Sequence, residues 1–195
     1  MALKARTRKL YSPEEYLASE EKAERRSEFD GGVVTAMAGG SLKHASVISN
    51  LVRVIGNRLG NGCGAYASDL RVHVESFRKF YYPDVLVICG PAAFYENRND
   101  TVTNPVLIIE VLSAKTEAKD RGEKMLAYRS LGSLREYVLI SQTNPIVEQY
   151  TKSADGSWIH KATIGVKSIV KFESVEVELS LEDIYQRIEF SANNL

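Results

Sequence analysis

Hydrophobic residues recur along this chain with two periods, one of two residues and one near 3.6, and the switches between them mark its elements. From Leu42 to Leu59, the residues Ala45, Ile48, Leu51, Val52, Ile55 and Leu59 share one face, as in a long amphipathic helix. Before it, Glu28-Phe29-Asp30-Gly31-Gly32-Val33-Val34-Thr35-Ala36-Met37 alternates around an Asp-Gly-Gly turn and predicts a β-hairpin. An earlier helix opens at Ser12-Pro13-Glu14-Glu15, with Ser12 as N-cap and Glu15 closing a capping box, and is predicted to reach about Arg25.

Asn61-Gly62-Cys63-Gly64 ends the long helix, Ala65 to Val74 reads as extended, and Ser76-Phe77-Arg78-Lys79 is a polar turn. Two apolar runs come next. Tyr81 to Cys89 reads as a strand, and Thr101 to Val111, apolar at most positions, has the pattern of a central strand covered on both faces. A linker from Ser113 to Glu117 leads into a helix ending near Leu131, with Met125, Leu126 and Tyr128 facing inward and Gly132 as its cap. Strands are predicted at Glu136 to Ser141, Ile146 to Lys152, Ser157 to Val166, Ser168 to Phe172 and Val175 to Leu179, and a short helix opens at Ser180-Leu181-Glu182-Asp183. This order describes one α/β (α+β) domain over residues 1–195, with a central mixed sheet flanked by helices, an N-terminal helix and hairpin, and a C-terminal strand extension.

Composition narrows the class. The chain has 195 residues, 44% hydrophobic and 26% charged, which suits a globular protein with a real core. Lys plus Arg and Asp plus Glu are equal at 25 each, so net charge neither favours nor opposes a nucleic-acid partner. Cys63 and Cys89 belong to no CxxC, so a disulfide framework and a thiolate zinc site are not expected, and a reducing cytoplasm fits best. The basic stretch Met1–Lys9 leads into Tyr11-Ser12-Pro13-Glu14-Glu15 without an apolar segment, so no secretory signal is expected. No run approaches the roughly 20 apolar residues of a membrane helix.

Each of the two apolar runs after the polar turn holds a carboxylate, Asp84 after Pro83 and Glu110 near the end of Pro105–Leu112. Charge inside a run of Val, Ile and Leu loses hydration and is kept with a partner, a metal ion or a catalytic use. If the two strands pair antiparallel, the acids approach one sheet end, a donor set suited to Mg²⁺, which takes one or two carboxylates and keeps waters. The plain alternative is two surface carboxylates at strand termini. Lys124 lies one helical turn after Asp120 and can face either Asp120 as a solvated pair or the carboxylates.

Pro83-Asp84, Glu110-Val111-Leu112-Ser113, Asp120-x-x-x-Lys124-x-x-x-Tyr128 and Leu134-Arg135-Glu136-Tyr137 succeed one another in an order that closely resembles the Uma2 (DUF820) family, a branch of the PD-(D/E)XK nuclease superfamily typified by restriction endonucleases. Upstream, Arg26-Ser27-Glu28-Phe29-x-Gly31-Gly32-Val33, then Met37-Ala38-Gly39-Gly40-Ser41 and His44, resemble the family's N-terminal block, so the likeness covers roughly residues 11–150. It implies a restriction-endonuclease-like fold and a Mg²⁺ site, with Mn²⁺ as a substitute, held by Asp84 and Glu110. Glu28 is expected as a third carboxylate, acting as an N-terminal glutamate does in several nucleases of that superfamily; the alternative is an exposed strand residue paired with Arg26. Leu112 stands where the superfamily pattern has lysine, and the resemblance implies that Lys124 supplies the amine from the following helix. His44, Asp120 and Tyr128 are weaker candidates for supporting the site or the substrate.

The implied function is a Mg²⁺-dependent endodeoxyribonuclease with DNA as partner. A homodimer is expected because cutting both strands calls for two sites. Neither a membrane nor an organic cofactor is expected. With Leu112 in the lysine position, the alternative is a catalytically weak or inactive nuclease-fold module for nucleic-acid binding or assembly, and a third reading is a hydrolase of small phosphoesters. Asp69 reads as a turn residue, and His73 and His160 lack partners at metal-ligand spacing. Arg71, Arg78, Lys79, Lys115 and Lys119 could line a phosphate-binding surface, while Tyr81, Tyr82, Tyr128 and Tyr137 read as packing residues. GxSxG, GxxxxGK[ST] and GxGxxG are all absent.

Overall fold

In the computed structural model, which describes residues 9–37 and 39–190, the capping box is formed: the Glu15 N–H donates to the Ser12 hydroxyl and the Ser12 N–H to the Glu15 carboxylate at 2.9 Å. The helix it opens, α1 (Pro13–Glu20), buries Tyr16 and Leu17. It stops short of Arg25 because residues 21–26 are all exposed and bring no large apolar side chain to bury. The basic stretch before Lys9 lies outside the described residues, as does Ala38 of the N-terminal block.

Strands β1 (Ser27–Asp30) and β2 (Val33–Ala36) form the predicted hairpin, and Gly31 and Gly32 take positive φ at its turn. Ser41 caps α2 (Leu42–Gly56), whose buried residues are Val47, Leu51, Val54 and Ile55. Three expected strands each divide between two sheets. Residues 65–74 become β3 (Cys63–Ala67) and β4 (Arg71–Val74), separated where Ser68 adopts positive φ. After a 3₁₀ turn at Glu75–Phe77, the run from Tyr81 becomes β5 (Lys79–Tyr81) and β6 (Val85–Cys89), and the later run becomes β7 (Thr101–Val102) and β8 (Leu107–Leu112). Pro83 and Pro105 fall in these last two gaps, where a residue without an N–H breaks a ladder.

The helical segment after β8 has three parts: α3 (Glu117–Lys119), a π-helical turn (Asp120–Lys124) and α4 (Met125–Tyr128). Tyr128 is buried as expected, but Leu126, also expected inward, is 62% exposed, and Ala127 is buried in its place. The wide turn shifts the helix phase, and the helix ends at Tyr128, short of Leu131, so Gly132 does not cap it. Strands β9 (Glu136–Ser141), β10 (Ile146–Lys152), β11 (Trp158–Ile164), β12 (Ile169–Phe172) and β13 (Val177–Ser180) and helix α5 (Leu181–Ile184) complete the chain.

One sheet has the order β11-β10-β9-β8-β6-β3 and a second the order β2-β1-β5-β4-β7, with β12-β13 as a separate pair. As the apolar pattern predicts, β8 is central, antiparallel to β6 and parallel to β9. Its residues alternate between two cores: Leu107, Ile109 and Val111 pack with α2, β12 and β13, while Ile108 and Leu112 pack with α4. Glu110 has the parity of the second set, which aims it toward α4 and Lys124. No helix among the described residues is long and apolar enough to cross a membrane.

The cysteines correct the sequence expectation. Cys63 and Cys89 stand opposite each other in the β3–β6 register and form a disulfide, so the argument from unpaired thiols to a reducing compartment falls away. The pairing is set by strand register between residues 26 apart, which no local spacing rule reads.

Candidate active site

The crossover at Tyr82-Pro83-Asp84 carries the chain from the five-stranded to the six-stranded sheet and sets Asp84 beside Glu110. The two acids interlock with each other's strands. The Val111 N–H donates to Asp84 Oδ2 at 2.7 Å, and the Asp84 N–H donates to Glu110 Oε2 at 3.4 Å. The antiparallel pairing that would bring them to one sheet end is therefore present, and Glu110 is only 2% exposed, unlike a surface carboxylate.

Three candidates from outside these strands meet the pair, and two more, Glu28 and Asp120, join it through Lys124. His44, in the first turn of α2, places Nε2 3.3 Å from Asp84 Oδ2. Tyr128 donates its hydroxyl to Glu110 Oε1 at 3.3 Å. Lys124 is buried, with Nζ 2.8 Å from Glu28 Oε1, 3.1 Å from Glu110 Oε1 and 3.5 Å from Asp120 Oδ1. Both possible directions for Lys124 are thus realised together, and Glu28 is buried rather than paired with Arg26, which instead binds Asp69.

Burial sets the electrostatics. Desolvation pushes the Glu110 carboxyl well above its ordinary pKa despite the neighbouring Lys124, and it raises Asp120 as well. Burial alone would depress Lys124, but Glu110, Glu28 and Asp120 outweigh it and hold the ammonium above its usual pKa. The hydrogen bond to Asp84 raises His44. The acids thus outnumber the one enclosed amine among them, so the centre accommodates further positive charge. Asp120 Oδ1 accordingly lies buried without a hydrogen-bond donor, its nearest cation being Lys124.

A cavity of about 610 Å³ opens onto this cluster, and Glu28, His44, Asp84, Glu110, Lys119 and Lys124 are among its walls. Among the described residues no three His, Cys, Asp or Glu side chains are grouped to hold a metal ion. The Asp84–Glu110 pair nonetheless fits a hard cation that takes two carboxylates and retains waters, because its donors are oxygens and the centre is short of positive charge. Glu28 is linked to Glu110 through Lys124.

Other expectations resolve away from the cavity. Arg71 is buried and bound to Asp100, so it belongs to no phosphate surface. Lys79 pairs with Asp30 and Glu123, whereas Lys115 and Lys119 do line the cavity. His73 packs on Phe80 and Tyr95, and His160 on Tyr150. Tyr81, Tyr82, Tyr128 and Tyr137 are core residues, and Leu112 is buried beneath α4. Sequence reasoning missed Lys119 as the second amine on Glu28, 2.7 Å from Oε2. Its signal was the five-residue step to Lys124, which becomes meaningful only with the π-helical turn.

Comparison with known proteins agrees with this architecture. A crystal structure from Anabaena variabilis, described as "a putative nuclease belonging to DUF820", shares the fold at a TM-score of 0.69 and 20% identity, over 83% of this chain and 90% of that one. Two proteins of Synechocystis sp., sll1609 and slr1290, both called uncharacterized, are each 34% identical to it. The first alignment covers 88% of this chain and 97% of the relative, and the second 92% and 93%. The family Uma2, described as "Putative restriction endonuclease", matches residues 13–187, well past the point near residue 150 where the sequence motifs end, and the chain belongs to that family.

Proposed function

We propose that the protein is an endonuclease that hydrolyses phosphodiester bonds in DNA with a divalent cation, Mg²⁺ or Mn²⁺, at Asp84 and Glu110. One observation carries the reading: two carboxylates from adjacent antiparallel strands are fixed by each other's backbone, with a buried amine 3.1 Å from Glu110 at the wall of an open cavity. The chemistry supplied by the cation when bound there is Lewis-acid polarisation of the phosphate and a lowered pKa for a nearby water.

The protein's own groups prepare the geometry. The Val111 N–H and His44 hold Asp84 in one orientation, and Tyr128 and Lys124 do the same for Glu110. Lys124 also offsets the repulsion among the acids, which keeps them together in the absence of substrate. In the overall reaction water adds to phosphorus, one P–O ester bond breaks, and the products are a phosphomonoester and a free hydroxyl. Cleavage of both duplex strands would use two copies of the site, the basis for the proposed homodimer.

The test is cleavage of supercoiled plasmid by purified protein with Mg²⁺ or Mn²⁺. Wild type is expected to nick or linearise the plasmid, and Asp84→Asn and Glu110→Gln to reduce the rate by at least about a hundred-fold, the loss of roughly 2.7 kcal/mol of transition-state stabilisation. Equal residual cutting by all three proteins would trace the activity to a contaminant and sink the proposal. Salt-sensitive DNA binding without cutting would favour the non-catalytic module, which the buried Leu112 keeps in view.

A further inference from the structure

We propose that Lys119 is the amine that contacts the substrate, binding a phosphate oxygen of the DNA backbone, while Lys124 serves as an internal charge. The inference rests on the nuclease reading above and assigns a role within that same site.

An ammonium has three N–H donors. Lys124 has Glu28 and Glu110 within 2.8 and 3.1 Å and the charge of Asp120 at 3.5 Å, and it is 5% exposed, so its charge is committed to the protein and its ammonium is closed off from a ligand. Lys119 differs on each count. Among the described residues its one polar partner is Glu28 Oε2, its side chain keeps 28% exposure, and it lines the cavity. Two of its three donors remain available to a ligand entering there. The face of Tyr81, 5.0 Å from Nζ, supports the ammonium without using a donor.

Backbone geometry explains why both amines reach one carboxylate. In an α-helix, residues five apart diverge by about 140° around the axis. The π-helical turn from Asp120 to Lys124 widens the path and brings Lys119 and Lys124 to the same side, one to each oxygen of Glu28. Glu28 is therefore a clasp between an enclosed amine and a cavity-facing one, which also accounts for its burial on a short hairpin strand.

The experiment measures binding of a fluorescent DNA duplex in EDTA, where no cutting occurs, across a series of salt concentrations. Lys119→Ala is expected to weaken binding and to reduce the slope of log K against log salt by about 0.9, the value of one phosphate contact. Lys119→Arg is expected to retain the slope. Lys171→Ala, which removes an exposed lysine paired with Glu173 on β12, should leave it unchanged. Titration with Mn²⁺ alone should give the same affinity for wild type and Lys119→Ala. A wild-type slope in Lys119→Ala, or an equal loss in Lys171→Ala, overturns the assignment while the nuclease reading stands. Wild type that neither binds nor cuts DNA overturns both.

Discussion

Arg71 is buried to 2% exposure, and its Nε and Nη1 atoms have no hydrogen-bond partner among the described residues. Asp100 balances its charge through Nη2, with the rings of Tyr82 and Tyr16 at 5.4 and 5.7 Å. Arg98 and Arg71 hold the Asp100 carboxyl well below its usual range. A depressed carboxyl pKa contributes stability that is complete above its unfolded value, about 3.9, and is lost as pH falls through the folded value. Asp100→Asn is therefore expected to cost roughly 2 kcal/mol in urea unfolding at neutral pH, less than the 3–5 of a fully buried broken pair. The reduction reflects the 38% exposure of the Asp100 side chain. The gap to wild type should stay constant down to about pH 5 and narrow below pH 4. An undiminished gap at about pH 3 would show that the Asp100 charge is not its source. Sequence placed Arg71 among phosphate-binding candidates because its acid lies 29 residues away, and only the fold brings the two together.

At the scale of elements, legibility tracks locality. The capping box of α1, the Gly-rich hairpin, the apolar face of α2 and the doubly covered strand β8 are each encoded within a few residues, and each forms. The Asp84–Glu110 meeting was legible only conditionally, since it needed antiparallel pairing of strands that neither run specifies alone. Least legible was the π-helical turn, because one extra residue in a helix leaves no mark on composition and shifts only the phase of the next helical turn, as Leu126 shows. That turn can be tested through Gly122, whose added Cβ would meet nothing within 4 Å. Gly122→Ala should keep DNA cleavage and gain up to about 1 kcal/mol in stability from helix propensity. Deleting Gly122 should restore α-geometry with Lys119 and Lys124 four residues apart, about 40° around the axis, so that both amines stay on one side while buried Ala127 and Tyr128 anchor the following helix. Cleavage should then stay within about ten-fold of wild type with far-UV circular dichroism preserved. A larger loss in the folded deletion variant would show that the wide turn itself, and not only the alignment of the two lysines, is needed.

Across the whole molecule, the site and the disulfide sit at opposite ends of the same strand pair. The β3–β6 register runs from Cys63 opposite Cys89 to Ala67 opposite Val85, and Asp84 immediately precedes Val85. At the far end, the disulfide ties edge strand β3 to the sheet and closes a loop between residues 26 apart. Loop-closure entropy for that separation is worth about 3.5 kcal/mol in the unfolded chain. Cys63→Ser/Cys89→Ser should therefore melt roughly 7–14 °C below the oxidised wild type by differential scanning calorimetry. Reductant should lower wild type by a similar amount and leave the variant unmoved. Cleavage at a temperature where both are folded should be equal, since Asp84 is held by the Val111 N–H and His44, and Glu110 by Lys124 and Tyr128, none of them on β3. A variant that melts with wild type would mean that the β3–β6 ladder alone holds the edge strand. One that melts earlier and also cuts poorly would mean that the edge strand transmits order along β6 to the Pro83 crossover, so that stability and the placement of Asp84 are set by one structure.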